Sequence, residues 1–217
     1  MMTPGQLQQG QPQRIFIVAD IGGAQDFHMG DEAMLEANLQ ALRNLFPAIE
    51  FVATSRDPVW TQHRYAVQAL LAPTFADLTL PAPNWDTEPE VRRQTNWLLS
   101  EEIVAALRRA DALIVSGGGN LCSTWPSKIL ERVALIHCAR DLGKPAVVLG
   151  QTLGPNLTTR ESALLAGALQ RAQLGQGLPA QGGFGVQPGF GQRADDAVSI
   201  LPPGLRGLRV ACPQHDR

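Results

Sequence analysis

Four short runs of branched apolar residues, each released into a loop and then a helical pattern, constrain this chain more than any other feature. They are Ile15-Phe16-Ile17-Val18-Ala19, Phe51-Val52-Ala53-Thr54, Ala112-Leu113-Ile114-Val115 and Ala146-Val147-Val148-Leu149. None alternates apolar with polar residues, as a strand with one wet face would, so each reads as a strand covered on both faces of a parallel sheet. Between the first two, Met34, Leu35, Leu39, Leu42, Leu45 and Phe46 recur at helical spacing until Pro47 stops them. Strand, helix, strand implies a right-handed crossover. The expected fold over residues 14–171 is a doubly wound, Rossmann-like α/β domain.

Residues 66–71 add a strand with prolines nearby, and Thr87-Glu88-Pro89-Glu90 has the composition of a helix start, predicting a helix over residues 91–109. Pro126 suits the first turn of a further helix that ends near Gly143, a C-cap glycine. Thr158 and Glu161 form a capping-box pair opening a helix to about residue 171.

A chain of 217 residues with 44% hydrophobic content has room for one substantial core and a remnant. A net charge of −2 without any Lys or Arg run excludes nucleic acid as a partner. Three widely spaced cysteines form no CxxC pair, so neither zinc nor a redox dithiol is expected and a cytoplasmic setting is the simplest. No metal or cofactor is implied. Residues 1–13, rich in Gln, Gly and Pro, read as a disordered lead-in without signal-peptide character. No apolar run reaches the roughly 20 residues that span a bilayer, which leaves peripheral membrane contact. Residues 172–192 contain no charged side chain and are dominated by Gly, Gln, Ala and Pro, which predicts an irregular segment. A foldable pattern returns over residues 193–217, read as a remnant leading into a truncated second lobe.

Ligands of open parallel sheets bind beyond the carboxyl ends of the strands. Three exit loops there carry suitable residues: 20–31, 116–125 and 150–156. Gly117, Gly118 and Gly119 remove three β-carbons where a buried strand ends, so that backbone amides could meet a phosphate, carboxylate or sugar. A tight turn with no ligand would read the same. Asp31, beside Gly30 at a helix start, is expected ionised, as a cap or a ligand contact. That makes it a poor general acid. His28 is the one candidate for proton transfer, set against the commoner passive loop histidine. Asn120, Gln151 and Thr152 are hydrogen-bonding candidates or turn stabilisers, Trp125 a core residue or a sugar-stacking face, and His137 a core residue. Asp195 and Asp196 are paired carboxylates without supporting ligands.

Three motifs taken in order, Gly30-Asp31-Glu32-Ala33-Met34, then Asp111 to Leu121 with the Ser116-Gly117-Gly118-Gly119-Asn120 loop, then Gly150-Gln151-Thr152-Leu153-Gly154-Pro155, resemble the polysaccharide pyruvyl transferase family. The resemblance covers residues 14–171, with an echo at Asp195-Asp196-Ala197. It implies the first lobe of a glycosyltransferase-B-like enzyme that transfers the pyruvyl group of phosphoenolpyruvate to a sugar of a cell-surface polysaccharide. Phosphoenolpyruvate is then the donor substrate, a polysaccharide or lipid-linked glycan the acceptor. The family's donor-holding arginines and histidines belong mainly to its second half, so the expectation is an inactive, truncated chain, with a reading-frame disturbance across 172–192. A sugar-nucleotide glycosyltransferase of the same architecture and a non-catalytic glycan- or anion-binding module are the alternatives.

Overall fold

The computed structural model describes residues 12–73, 99–170 and 172–174. Strand β1 (Arg14–Val18) leads to helix α1 (Met29–Leu45), then β2 (Glu50–Ser55), α2 (Pro58–Tyr65) and β3 (Gln68–Leu71). After the undescribed stretch come α3 (Glu101–Arg109), β4 (Ala112–Val115), β5 (Gly118–Leu121), α4 (Pro126–Asp141), β6 (Ala146–Val148), β7 (Gln151–Leu153), α5 (Thr159–Leu169) and β8 (Gln173–Leu174).

The main sheet is parallel throughout, in the order β3-β2-β1-β4-β6-β8. Ile17 pairs with Ala53 on one side and Ile114 on the other, so β1 lies at the centre. Its four apolar residues have no exposure, which is why their sequence lacks alternation. Phe16, Val18, Leu113 and Val115 face α3, α4 and α5, whereas Ile15, Ile17, Ala112 and Ile114 face the side covered by α1 and α2. Chain order reverses between β1 and β4. The crevice at their carboxyl ends is the topological switch point of a doubly wound sheet.

Local chemistry sets the helix ends. Asp57 caps α2 by accepting from the Trp60 amide at 3.0 Å, with Pro58 in the first turn. Helix α4 stops at Asp141, and Gly143 takes the left-handed backbone (φ 70°) while donating to the Arg140 carbonyl. The predicted capping box is present, with Thr158 Oγ1 accepting from the Glu161 amide and the Glu161 carboxylate accepting from the Thr158 amide.

Three expectations are corrected. Rather than running continuously from residue 91, the helix that reaches Arg109 starts at Glu101. Ser100 interrupts it in extended conformation (ψ 154°) and accepts from the Ile103 amide, a side-chain cap that competes with helix continuation; residues 91–98 and the motif at 87–90 lie outside the described residues. The loops after β4 and β6 contain strands: β5 and β7 pair in a second, two-stranded parallel sheet, with Gly118 opposite Gln151 and Leu121 opposite Leu153. The segment read as irregular from residue 172 opens with β8, whose Gln173 and Leu174 pair with Val147 and Val148. Two residues of main-chain pairing ask little of side-chain composition, so no apolar run announced them.

Candidate active site at the switch point

Asp20 lies two residues beyond the end of β1, in the switch-point crevice, and its side chain is nearly buried. Its carboxylate gathers charge from three elements. Lys128 Nζ, from the first turn of α4, is 2.6 Å from Oδ1, Arg56 Nη2 is 3.6 Å from the same oxygen, and His28 Nδ1 is 3.1 Å from Oδ2. Burial alone would push the Asp20 carboxyl up; the Lys128 ammonium, with Arg132 and His28 near it, reverses this and holds it below its ordinary value.

The chain of charge continues into α4. Lys128 Nζ is 3.4 Å from Glu131 Oε2, which accepts a 2.7 Å hydrogen bond from Arg132 Nη1. Glu131 and Arg132 are both buried, and Arg132 Nε and Nη2 and Glu131 Oε1 find no hydrogen-bond partner among the described residues. Removing such ions from water costs several kcal/mol each, roughly, before pairing offsets it. An apolar helix would fill this position more cheaply.

On the opposite wall, α1 begins at Met29 with His28 at the N-cap, where it makes no side-chain cap bond. Asp31, in the first turn, faces the glycine loop across the crevice, its Oδ1 against the space where a β-carbon at Gly118 would lie. Asp31 is not the cap of α1, whose N-cap position is His28. Burial, then the negative charge of Asp20, pushes its carboxyl up, against smaller opposing effects of His28, the Gly119 amide and Arg132. The dipole at a helix start, about 0.3–1 kcal/mol at an exposed site, is the weaker effect here.

The glycines have a specific reason. A β-carbon at Gly117 would lie 2.6 Å from Met34 Sδ and 2.9 Å from the Gly150 carbonyl; one at Gly118 would lie 2.8 Å from Asp31 Oδ1 and 3.1 Å from Asn120 Nδ2. At Gly119 and Gly30 it would meet nothing within 4 Å. The Gly118 amide donates to the Gly150 carbonyl at 3.4 Å. The missing β-carbon at Gly118 thus makes room for the carboxylate of Asp31.

Among the remaining predicted residues, Asn120 is buried, and its amide has no hydrogen-bond partner among the described residues. Gln151 Nε2 donates to the Ser116 carbonyl, and Thr152 is exposed on β7. Trp125 is an exposed N-cap of α4, and His137 is buried within that helix. Asp195 and Asp196 lie outside the described residues. The fold thus brings His28, Asp31, Gly118, Gly119 and Asn120 to one crevice. Asp20, His28 and Asp31 each offer a ligand atom within 4.8 Å of the others, enough to hold a cation, but Lys128 already supplies positive charge there.

Sequence reading missed Asp20, Arg56, Lys128, Glu131 and Arg132. The signal for three of them was present: Lys128, Glu131 and Arg132 are the charged positions near the start of a helix otherwise apolar on every side.

Residues 28–174, more than half of the chain, match the profile of the family described as polysaccharide pyruvyl transferase. The chain belongs to the polysaccharide pyruvyl transferase family. The matched stretch opens on His28 itself and closes with the last residue of β8. No curated protein was found to match the chain. Among the described residues, no helix is long and apolar enough to cross a membrane.

Proposed function

We propose that this pyruvyl transferase family member uses the switch-point crevice to transfer the pyruvyl group of phosphoenolpyruvate to a sugar of a cell-surface polysaccharide or its lipid-linked precursor. The transfer takes place on the cytoplasmic side, with peripheral membrane contact. The observation that carries this reading is the convergence of His28 and Asp31 on one opening, with ion pairs buried behind them. Ketal formation needs a proton delivered to the donor's methylene carbon and a proton removed from an acceptor hydroxyl. His28 is the proton-transfer group in this reading. Gly30, Asp31, Gly117, Gly118, Gly119, Asn120, Gln151 and Thr152 form the substrate-facing wall, and the unpartnered amide of Asn120 is its hydrogen-bonding point.

The test is phosphate release from phosphoenolpyruvate in the presence of an oligosaccharide or lipid-linked acceptor, with the acceptor's mass followed in parallel. The chain alone is expected to release little phosphate, in line with the inactivity its sequence implies; with the family's donor-holding second half supplied, acceptor-dependent release is expected, and His28→Gln should lower its kcat by about 10²-fold or more. Sugar transfer from a nucleotide donor in place of pyruvyl transfer would establish a glycosyltransferase instead. Glycan binding with neither reaction would establish a binding module.

A further inference from the structure

A histidine handles protons reproducibly only when one ring nitrogen is committed and the other is left for the substrate. His28 has a carboxylate beside each ring nitrogen, and the buried one, at Nδ1, belongs to a residue to which neither the family match nor the motif pattern gives a role. Asp20 is fixed by position: it follows the central strand, Ala19 before it is buried, and its own side chain is only 8% exposed. Its Oδ2 lies 3.1 Å from His28 Nδ1, while Lys128 Nζ, 2.6 Å from Oδ1, keeps the carboxylate charged where water cannot. A buried anion beside Nδ1 favours the proton on that nitrogen.

The other ring nitrogen faces outward. His28 Nε2 is 3.2 Å from Asp26 Oδ1, but the Asp26 side chain is half exposed and is shared with Arg56. Asp26 thus stands on the solvent side of the ring, where an acceptor hydroxyl would hand over its proton. The charged groups around the imidazole are Asp20, Asp26 and Asp31, with Arg56, Lys128 and Arg132 beyond them.

We infer that Asp20, braced by Lys128, is a positioning residue that holds His28 in the Nδ1–H tautomer and so makes Nε2 the base for the acceptor sugar. The tautomer stands on geometry alone; the identity of the substrate rests on the pyruvyl-transfer reading. In the step, the donor's C=C bond breaks, its π pair taking up one proton from solvent at the methylene carbon, and the acceptor oxygen bonds to C2, from which phosphate leaves when a second hydroxyl of the same sugar closes the ketal. The acceptor O–H bond breaks, its electron pair forms the new C–O bond, and its proton goes to Nε2.

Nitrogen-15 NMR of the full chain at about pH 8, where an ordinary imidazole is neutral, reads the tautomer directly, with His28→Gln assigning the signal among four histidines. Protonated Nδ1 and bare Nε2 are expected, shifting toward the Nε2–H form in Asp20→Asn. If transfer is observed, Asp20→Asn should lower kcat by roughly 10²- to 10⁴-fold with KM for phosphoenolpyruvate within about threefold. An Nε2–H tautomer in the parent protein overturns the inference without any variant having to fold. A tautomer that is unchanged in Asp20→Asn overturns it as well. An intact Nδ1–H tautomer, lost in Asp20→Asn, in a protein that releases no phosphate even with the family's second half supplied would uphold the positioning role and defeat the pyruvyl-transfer reading instead.

Discussion

Helices α1 and α4 both stand beside the switch point, yet they are built to opposite rules. On α1 the buried positions are Glu32, Leu35, Leu39 and Leu42, a single stripe three or four residues apart, and the rest of the helix reaches water or its margin. On α4 every residue from Glu131 to Ala139 is buried, because α3 and α5 flank it and the strands lie beneath. Apart from Glu32, which accepts from the Tyr65 hydroxyl inside the fold, a charge on α1 can turn to solvent. A charge on α4 must be matched within the fold, and Lys128, Glu131, Arg132 and Asp20 are the matched set. The site therefore has one wall that tolerates change and one that does not.

The largest expected effect tests the intolerant wall. Glu131→Ala strands Arg132 in the interior and should cost about 3–5 kcal/mol in urea unfolding, whereas Glu131→Leu with Arg132→Met should return to within about 2 kcal/mol of the parent. A single and a double variant of equal instability would show that packing, not charge, governs α4. The glycine loop between the walls comes next. Gly117→Ala should cost about 1–3 kcal/mol, since its β-carbon would meet Met34 and the Gly150 backbone, and Gly119→Ala should stay within about 0.5 kcal/mol. Matching losses would mean that the loop relaxes as a whole.

Two carboxylates should respond to pH with opposite signs. Asp31 has a raised folded pKa, so its ionised form costs stability; the cost is absent below the ordinary Asp value of about 3.9 and grows as pH rises through the raised one. Asp31→Asn should therefore raise Tm modestly at about pH 7 and lose that advantage near pH 3. Asp20 has a lowered pKa and contributes stability above the ordinary value, lost as pH falls through the lowered one. Asp20→Asn should accordingly lower Tm at neutral pH, and thermal melts at both pH values that moved the two variants together would contradict the electrostatic assignment. The smallest effect belongs to the tolerant wall: Gln40→Ala, on the exposed face of α1, should change unfolding free energy by no more than about 0.5 kcal/mol.

The sheet was readable because burial on both faces leaves a direct mark, an unbroken apolar run such as Ile15 to Ala19 or Ala112 to Val115. Helix ends were readable where a side chain makes the cap, as at Thr158. Strands β5 and β7 were not, since Gly118 and Gln151 pair through backbone that any residue offers. The candidate site was half legible. His28, Asp31 and the glycines fall in exit loops where function is expected, but Asp20 gains its meaning only from Lys128, more than a hundred positions along the chain, and local pattern says nothing of such a partner.

The strand order bears on how the chain is made. β1 meets β2 early, but the amides of Gln13 and Arg14 and the open edge of β1 wait for Asp111 and β4, 98 and 97 residues downstream. At translation speeds of about 5–20 residues per second, the centre of the finished sheet spends roughly 5–20 s of synthesis as an unpaired edge. In a chain of parallel, long-range pairings that interval is the exposed moment of its biogenesis, when a neighbouring nascent chain could add a strand where β4 belongs.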